Sequence, residues 1–286
     1  MIPAAFDYAR PASLEEALAD LAAHGAETKV LAGGQSLLPL MKLRLARPAR
    51  LLDVGRLREL HGVRRLDGGG LVVGAATTYH ELLAEPAIMG LALMADVLPR
   101  IADLQVRNRG TIGGAVAHAD PAADMPAVLL ALEAQVVVRS ARGERTLDLA
   151  DCLVGPFTSA LAADELLTEI RLPAPSGAYG SAYRSIDQPA SGYALCGVAA
   201  VVGRTGGGSG PFDHVRVAVT GVGDVAYRAT AVETALAGGP GSADAAAHAT
   251  DGVEVRADIH ADAAYRAAMA AVYTRRALEA AIARAG

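Results

Sequence analysis

The residues best placed to do chemistry in this sequence are glycines in two turns, not acids, bases or nucleophiles. Residues 29–42 read K-V-L-A-G-G-Q-S-L-L-P-L-M-K, and residues 107–124 read R-N-R-G-T-I-G-G-A-V-A-H-A-D-P-A-A-D. In the first stretch a short apolar run ends at Gly33-Gly34. Ser36 then stands at a helix N-cap position, and Pro39 falls in the first turn, where a missing N–H costs little. Paired glycines let a backbone take positive φ and approach a ligand closely, with N–H groups facing negative charge. A single such turn is as readily a tight connection as a ligand loop. Two of them, each beside a helix start, suit a dinucleotide whose phosphates need donors from more than one loop.

Other chemistries find less support. Cys152 and Cys196 are the only cysteines, too few for a four-cysteine iron–sulfur site and without CxxC spacing, so both read as buried structural residues. The histidines form no HExxH-type cluster. His118 and Asp120 do not complete a metal site, and Asp120-Pro121 reads as an N-cap with proline at the first helical position. Asp124, by position alone, is a first-turn acid complementing a helix dipole, and Tyr193 is an ordinary strand residue. Gly221-Val222-Gly223-Asp224-Val225-Ala226 fits the G-x-G-x-x-A nucleotide fingerprint, but glycine- and alanine-rich sequence follows where a second parallel strand ending in an acid is required.

The elements that must carry the two turns follow from periodicity. Ser13-Leu14-Glu15-Glu16 is a capping box ahead of Leu14, Ala17, Leu18 and Leu21 at helical spacing, and that helix feeds a strand entering the first turn. A helix over 37–45 and a strand over 51–54 complete a β/α unit. Residues 63–66 and 71–75 flank Asp67-Gly68-Gly69-Gly70 as a hairpin, and Thr78-Tyr79-His80-Glu81 is a second capping box. After the second turn come an apolar helix over 125–132 and strands over 135–140, 145–149 and 166–172. Pro173-Ala174-Pro175-Ser176-Gly177 is the candidate linker. Beyond it, strands over 182–186, 193–202 and 215–222 are expected, the last two joined by Gly206-Gly207-Gly208-Ser209-Gly210. Helices over 229–236 and 262–284 close the chain.

The 286 residues suggest about two domains. With 52% hydrophobic and 20% charged residues the chain reads as globular, and no apolar run approaches the ~20 residues of a membrane span. A net charge of −5 argues against nucleic acid as a partner, and the N-terminus shows no signal-peptide pattern, so a cytoplasmic location is expected.

The two glycine stretches also resemble the FAD motifs of the medium, flavin-binding subunit of the molybdenum hydroxylases, the carbon monoxide dehydrogenase and xanthine dehydrogenase family. P-A-S-G-Y-A-L-C-G-V-A-A at 189–200 resembles the opening of that family's C-terminal domain. The resemblance implies an α+β protein: a two-subdomain FAD-binding fold of the vanillyl-alcohol oxidase/PCMH type over 1–175 (subdomains about 1–57 and 58–175), and a C-terminal domain over 176–286 with a small antiparallel sheet and helices. It implies FAD held at Lys29, Leu31, Ala32, Gly33, Gly34, Gln35, Ser36 and Leu37, and on the other side at Gly110, Thr111, Gly114, Ala115 and His118. Asp124 would meet cofactor hydroxyls, Ile101 and Leu167 would be apolar neighbours, and Tyr193 would cover a flavin face. No catalytic acid, base or metal ligand is implied. Two departures stand out: Ser185 where many relatives carry a lysine, and Ala115 where they carry asparagine.

The function so implied is electron transfer, from [2Fe–2S] clusters of a small subunit, fed by a molybdenum-cofactor large subunit, to an acceptor such as NAD or a quinone. The assembly would be a heterohexamer. A stand-alone FAD oxidoreductase and a flavin-less assembly module are the alternatives.

Overall fold

Parallel pairing organises the N-terminal region of the computed structural model, which describes residues 2–174, 177–204, 211–237, 239 and 241–285. The strand Arg50–Asp53 lies between Asp7–Ala9 and Thr28–Leu31 and runs parallel to both. Parallel neighbours need crossover connections, and the helix Leu14–His24 supplies one. Its Ser13 cap accepts from the Glu16 N–H, while the Glu16 carboxylate takes the N–H of Ala12 instead of that of the cap. Leu14, Ala17, Leu18 and Leu21 are buried on one face of this helix, in a cluster with Leu52 and Val54.

An antiparallel five-stranded sheet follows, in the order Val63–Arg65, Leu71–Gly74, Leu166–Leu172, Gln135–Ser140, Gly143–Asp148. The Asp67–Gly70 hairpin is where the turn residues place it. The Thr78 capping box is complete, with the Thr78 hydroxyl accepting from Glu81 N and the Glu81 carboxylate accepting from Thr78 N. Residues 125–131 of the helix Asp124–Ala131 are all buried. A helix apolar all round must be covered on every side. This one is packed between elements of the first region and the strands Ala194–Arg204 and His214–Thr220 of the second sheet.

That second sheet has four antiparallel strands, Ala178–Asp187, Ala194–Arg204, His214–Thr220 and Tyr227–Arg228, backed by the long helix Ala263–Arg284. Asp262 caps the helix, accepting from Tyr265 N at 2.7 Å. Helix and sheet touch through backbone, since a Cβ at Gly180 would lie 2.0 Å from the Ala281 carbonyl oxygen. At the far end Arg284 donates to both oxygens of Asp96, a residue of the N-terminal region. Asp96 also accepts from Arg184 and from the Tyr183 N–H, and these cations and donors hold its carboxyl below its usual range against the cost of burial.

Several expectations are corrected. The helix expected to reach residue 45 is Leu37–Lys42, because Arg44 takes a positive φ of 60°. Ser36 makes no capping bond to it. Asp120 does not cap the apolar helix: that helix starts after Ala123, and Asp120 Oδ1 instead accepts from Ala122 N within the preceding turn. Gly221 to Ala226 connect two antiparallel strands, so no Rossmann unit forms there. The Gly206 to Gly210 connection lies outside the described residues, as do Pro175 and Ser176 of the candidate linker.

Because the last helix rests directly on Gly180, Gly180→Ala is expected to lower unfolding stability by about 1–3 kcal/mol through overpacking. Urea unfolding checks this: the midpoint should fall with the slope unchanged.

Candidate functional site

One cavity of about 690 Å³ runs between the parallel sheet, the antiparallel sheet and the loop before Ala194. Ligand cavities span about 300–1,000 Å³, so a large cofactor is within its reach. Lys29 and Leu31 reach it from the strand Thr28–Leu31. Ala32, Gly33, Gly34, Gln35, Ser36 and Leu37 reach it from the first turn, and Gly110, Thr111, Gly114, Ala115 and His118 from the second turn and its helix. Ile101 and Tyr193 stand toward one side with Asp124, and Leu167 comes from the antiparallel sheet. Every residue expected from sequence therefore lines the same wall. The lining also includes residues that sequence reasoning missed, among them Tyr79, Phe157, Leu161 and Gly192. Tyr79 follows a visible capping box, whereas Phe157 has a positive φ of 53° that no residue type announces.

The two turns are pressed together. A Cβ at Gly33 would stand 2.2 Å from the Arg109 carbonyl oxygen and 2.9 Å from the Gly110 Cα. Only a residue without a side chain lets these backbones meet. Gly34, with φ of +74°, completes the reversal. The turns differ in what they offer a ligand. Among the described residues no backbone carbonyl accepts the N–H groups of Gly34, Gln35 or Ser36, which leaves them for an anion. In the second turn Ile112 N bonds Thr77 O, Gly113 N bonds Ala75 O, Gly114 N bonds Thr111 Oγ1 and Ala115 N bonds Thr111 O. The second turn is thus a braced backing that leaves the first to supply the open amides.

Charge is placed to match. The exposed Lys29 is the lysine of the wall and acts on His118 across it. Burial, with a further push from Lys29, lowers His118 below its ordinary value despite Asp120. The imidazole is therefore neutral at pH 7, and it lies 5.2 Å from the Phe157 ring. Tyr193 is raised by burial and keeps 43% exposure. Asp124 is half-buried and lines the cavity, and burial raises its carboxyl to about 7 although the Tyr183 phenol donates to Oδ1. Ser185 accepts from Arg100 at 3.0 Å, and the same guanidinium donates to Asp187 at 2.9 Å.

This arrangement fits FAD. A side-chain-free cradle with open amides and an adjacent lysine would hold the diphosphate through charge-assisted hydrogen bonds. Ile101, Leu167 and Tyr193 give the cavity apolar and aromatic wall of the kind ring systems need, and Asp124 lines it as well. Among the described residues no group of three or more His, Cys, Asp or Glu could hold a metal ion.

Gly33→Val would force the two turns apart, since its side chain meets backbone and not open space. At about 1–3 kcal/mol for such overpacking, FAD retention should fall about ten- to hundredfold. Chromatographic quantification of FAD released per chain on denaturation, beside a circular dichroism spectrum of the folded variant, tests it; full FAD content would refute the role of the contact.

Comparison with known proteins agrees with this geometry. Residues 4–175 match the family model described as the FAD binding domain in molybdopterin dehydrogenase, and residues 181–281 match the CO dehydrogenase flavoprotein C-terminal domain. The chain is 39% identical to the carbon monoxide dehydrogenase medium chain of Hydrogenophaga pseudoflava, over 99% of each chain. It is 38% identical to the caffeine dehydrogenase subunit beta of Pseudomonas sp. (strain CBB1), over 97% of this chain and 95% of the relative. Among solved structures, the carbon monoxide dehydrogenase of Hydrogenophaga pseudoflava superposes with a TM-score of 0.94 at 40% identity, covering 99% of both chains. Quinoline 2-oxidoreductase from Pseudomonas putida 86 superposes at 0.91 with 33% identity, covering all of both chains. The chain belongs to the FAD-binding subunits of the molybdopterin dehydrogenases, of the carbon monoxide dehydrogenase medium-chain type, and is an FAD-dependent oxidoreductase subunit.

Proposed function

We propose that this chain is the electron-transfer subunit of a molybdenum hydroxylase complex, in which it receives electrons from [2Fe–2S] clusters of a small subunit and passes them to an external acceptor, a quinone or NAD. The observation that carries the reading is the joined pair of glycine turns: Gly33 abuts Arg109 and Gly110 beside the open amides of Gly34 to Ser36. Bound FAD supplies the redox chemistry. Lys29 and the open amides would bind the diphosphate, with His118 lining the cavity beside them. Ile101 and Tyr193 would exclude water from the ring, and Asp124 would take a hydroxyl proton as a hydrogen bond.

The chain's own chemistry supports a relay and not substrate oxidation. With two cysteines in all, both free and buried, it cannot ligate a cluster. Burial pushes both thiols up, Cys196 to about 12, which makes them inert. Electrons must therefore come from a partner that carries clusters, itself fed by a molybdenum-cofactor subunit, in an assembly we propose to be a dimer of heterotrimers. No helix among the described residues is long and apolar enough to cross a membrane, and we place the complex in the cytoplasm.

The test is a complex stripped of FAD and then reconstituted. Organic substrate should still bleach the iron–sulfur absorption in the stripped complex, while turnover with the external acceptor is lost and returns with FAD. Acceptor turnover that persists without FAD would refute the relay, and oxidation of organic substrate by the isolated chain would favour the stand-alone oxidoreductase.

A further inference from the structure

Asp124 and Tyr183 meet across the two halves of the molecule. Asp124 opens the apolar helix of the FAD-binding region, whereas Tyr183 sits in the strand Ala178–Asp187 of the C-terminal sheet. The Tyr183 side chain is 2% exposed and lines no part of the cavity, yet its hydroxyl donates to Asp124 Oδ1. Space is reserved for this contact. A Cβ at Gly197, on the neighbouring strand, would stand 2.0 Å from the phenol oxygen, so that glycine is required for the tyrosine to reach forward. Its backbone is pinned too, as Tyr183 N donates to Asp96 Oδ2 at 3.0 Å.

We propose that Tyr183 is a positioning residue for the cofactor site: it acts through Asp124, fixing the orientation of that carboxyl and setting the pH at which it ionises against bound FAD. The proposal rests on the reading that FAD occupies the cavity lined by Asp124. The groups facing the pair are few. Asp187 disfavours the ionised carboxylate and Arg100 favours it, while Tyr79, Tyr193 and Cys196 stay protonated beside the pair. Burial dominates, and the phenol bond offsets part of it by stabilising the carboxylate. Removing that bond leaves burial less opposed, so the carboxyl must hold its proton to higher pH. A carboxylate accepts from a cofactor hydroxyl more strongly than a neutral acid does. FAD should therefore bind more tightly above this transition than below it.

Two measurements on the full chain test the proposal. Infrared titration of the FAD-free protein, with the Asp124 band assigned by its loss in Asp124→Asn, should show protonation centred near the value of about 7. In Tyr183→Phe the midpoint should rise by about one pH unit, as expected for a lost hydrogen bond to a charged group. Gly197→Ala, which crowds the phenol without removing it, should shift it the same way. An unmoved midpoint in a folded Tyr183→Phe overturns the positioning role. The FAD dissociation constant of the reconstituted chain, followed by flavin fluorescence across the same pH range, should show the same inflection, displaced in Tyr183→Phe and absent in Asp124→Asn. If the midpoint moves but FAD affinity is flat with pH in all three proteins, the coupling to FAD is overturned. Full FAD retention by Gly33→Val would instead count against the cavity assignment on which the proposal rests.

Discussion

The arrangement of this molecule depends on the contact between two backbones, that of Gly33 and that of Arg109-Gly110. The first belongs to a turn leaving a parallel sheet and the second to a loop that leads into a helix packed on the antiparallel sheet. Hydrogen bonds fix the second turn from behind: Tyr79 N reaches Gly110 O, and the amides of Ile112 and Gly113 reach carbonyls at Thr77 and Ala75. A braced wall thus supports a turn whose own amides are left open. Unsatisfied amides are costly where water is excluded, and a phosphate-bearing ligand that satisfies them gains the difference.

Around that contact the wall divides by chemistry. Lys29 and the neutral His118 stand by the turns, Ile101 and Leu167 provide apolar surface, and Asp124 is the buried acid whose ionisation is balanced near neutrality. Ser185 is engaged by Arg100, itself paired with Asp187. The hydroxyl there is thus part of an ion-pair network, and the guanidinium that engages it also favours the charged form of Asp124.

Much of this was legible in sequence where local chemistry decides structure. The Thr78–Glu81 capping box, the Asp67–Gly70 hairpin and the apolar run after Asp124 each announce their element through a short-range pattern. The first glycine stretch read correctly as a turn before a helix, whereas Gly113 and Gly114 of the second lie in the opening turn of the helix Ile112–His118, where Gly113 lets that helix rest on Ala75. The errors fall where tertiary packing overrode the local signal. Ser36 and Asp120 are good cap residues, but Ser36 makes no capping bond at a helix only six residues long, and Asp120 holds the turn that carries Pro121 against Gly221 and Thr220. The strand Asp7–Ala9 is three residues long and has no period to detect. Nothing in the sequence singles out Tyr183, because its reach depends on strand register and on a glycine fourteen positions later.

The latch between Arg284 and Asp96 sets an order of events during synthesis. Domains generally fold as they emerge, N-terminal part first. The strand carrying Tyr183 and the arginine that closes on Asp96 both follow the FAD-binding region in the chain. A growing polypeptide can form both glycine stretches early, yet Asp124 lacks its phenol partner until the C-terminal sheet exists, and the clamp closes only once the helix Ala263–Arg284 has formed. Chains without the C-terminal sheet would therefore carry a pocket of the right outline with Asp124 unsupported, and productive loading would favour chains in which that sheet has formed.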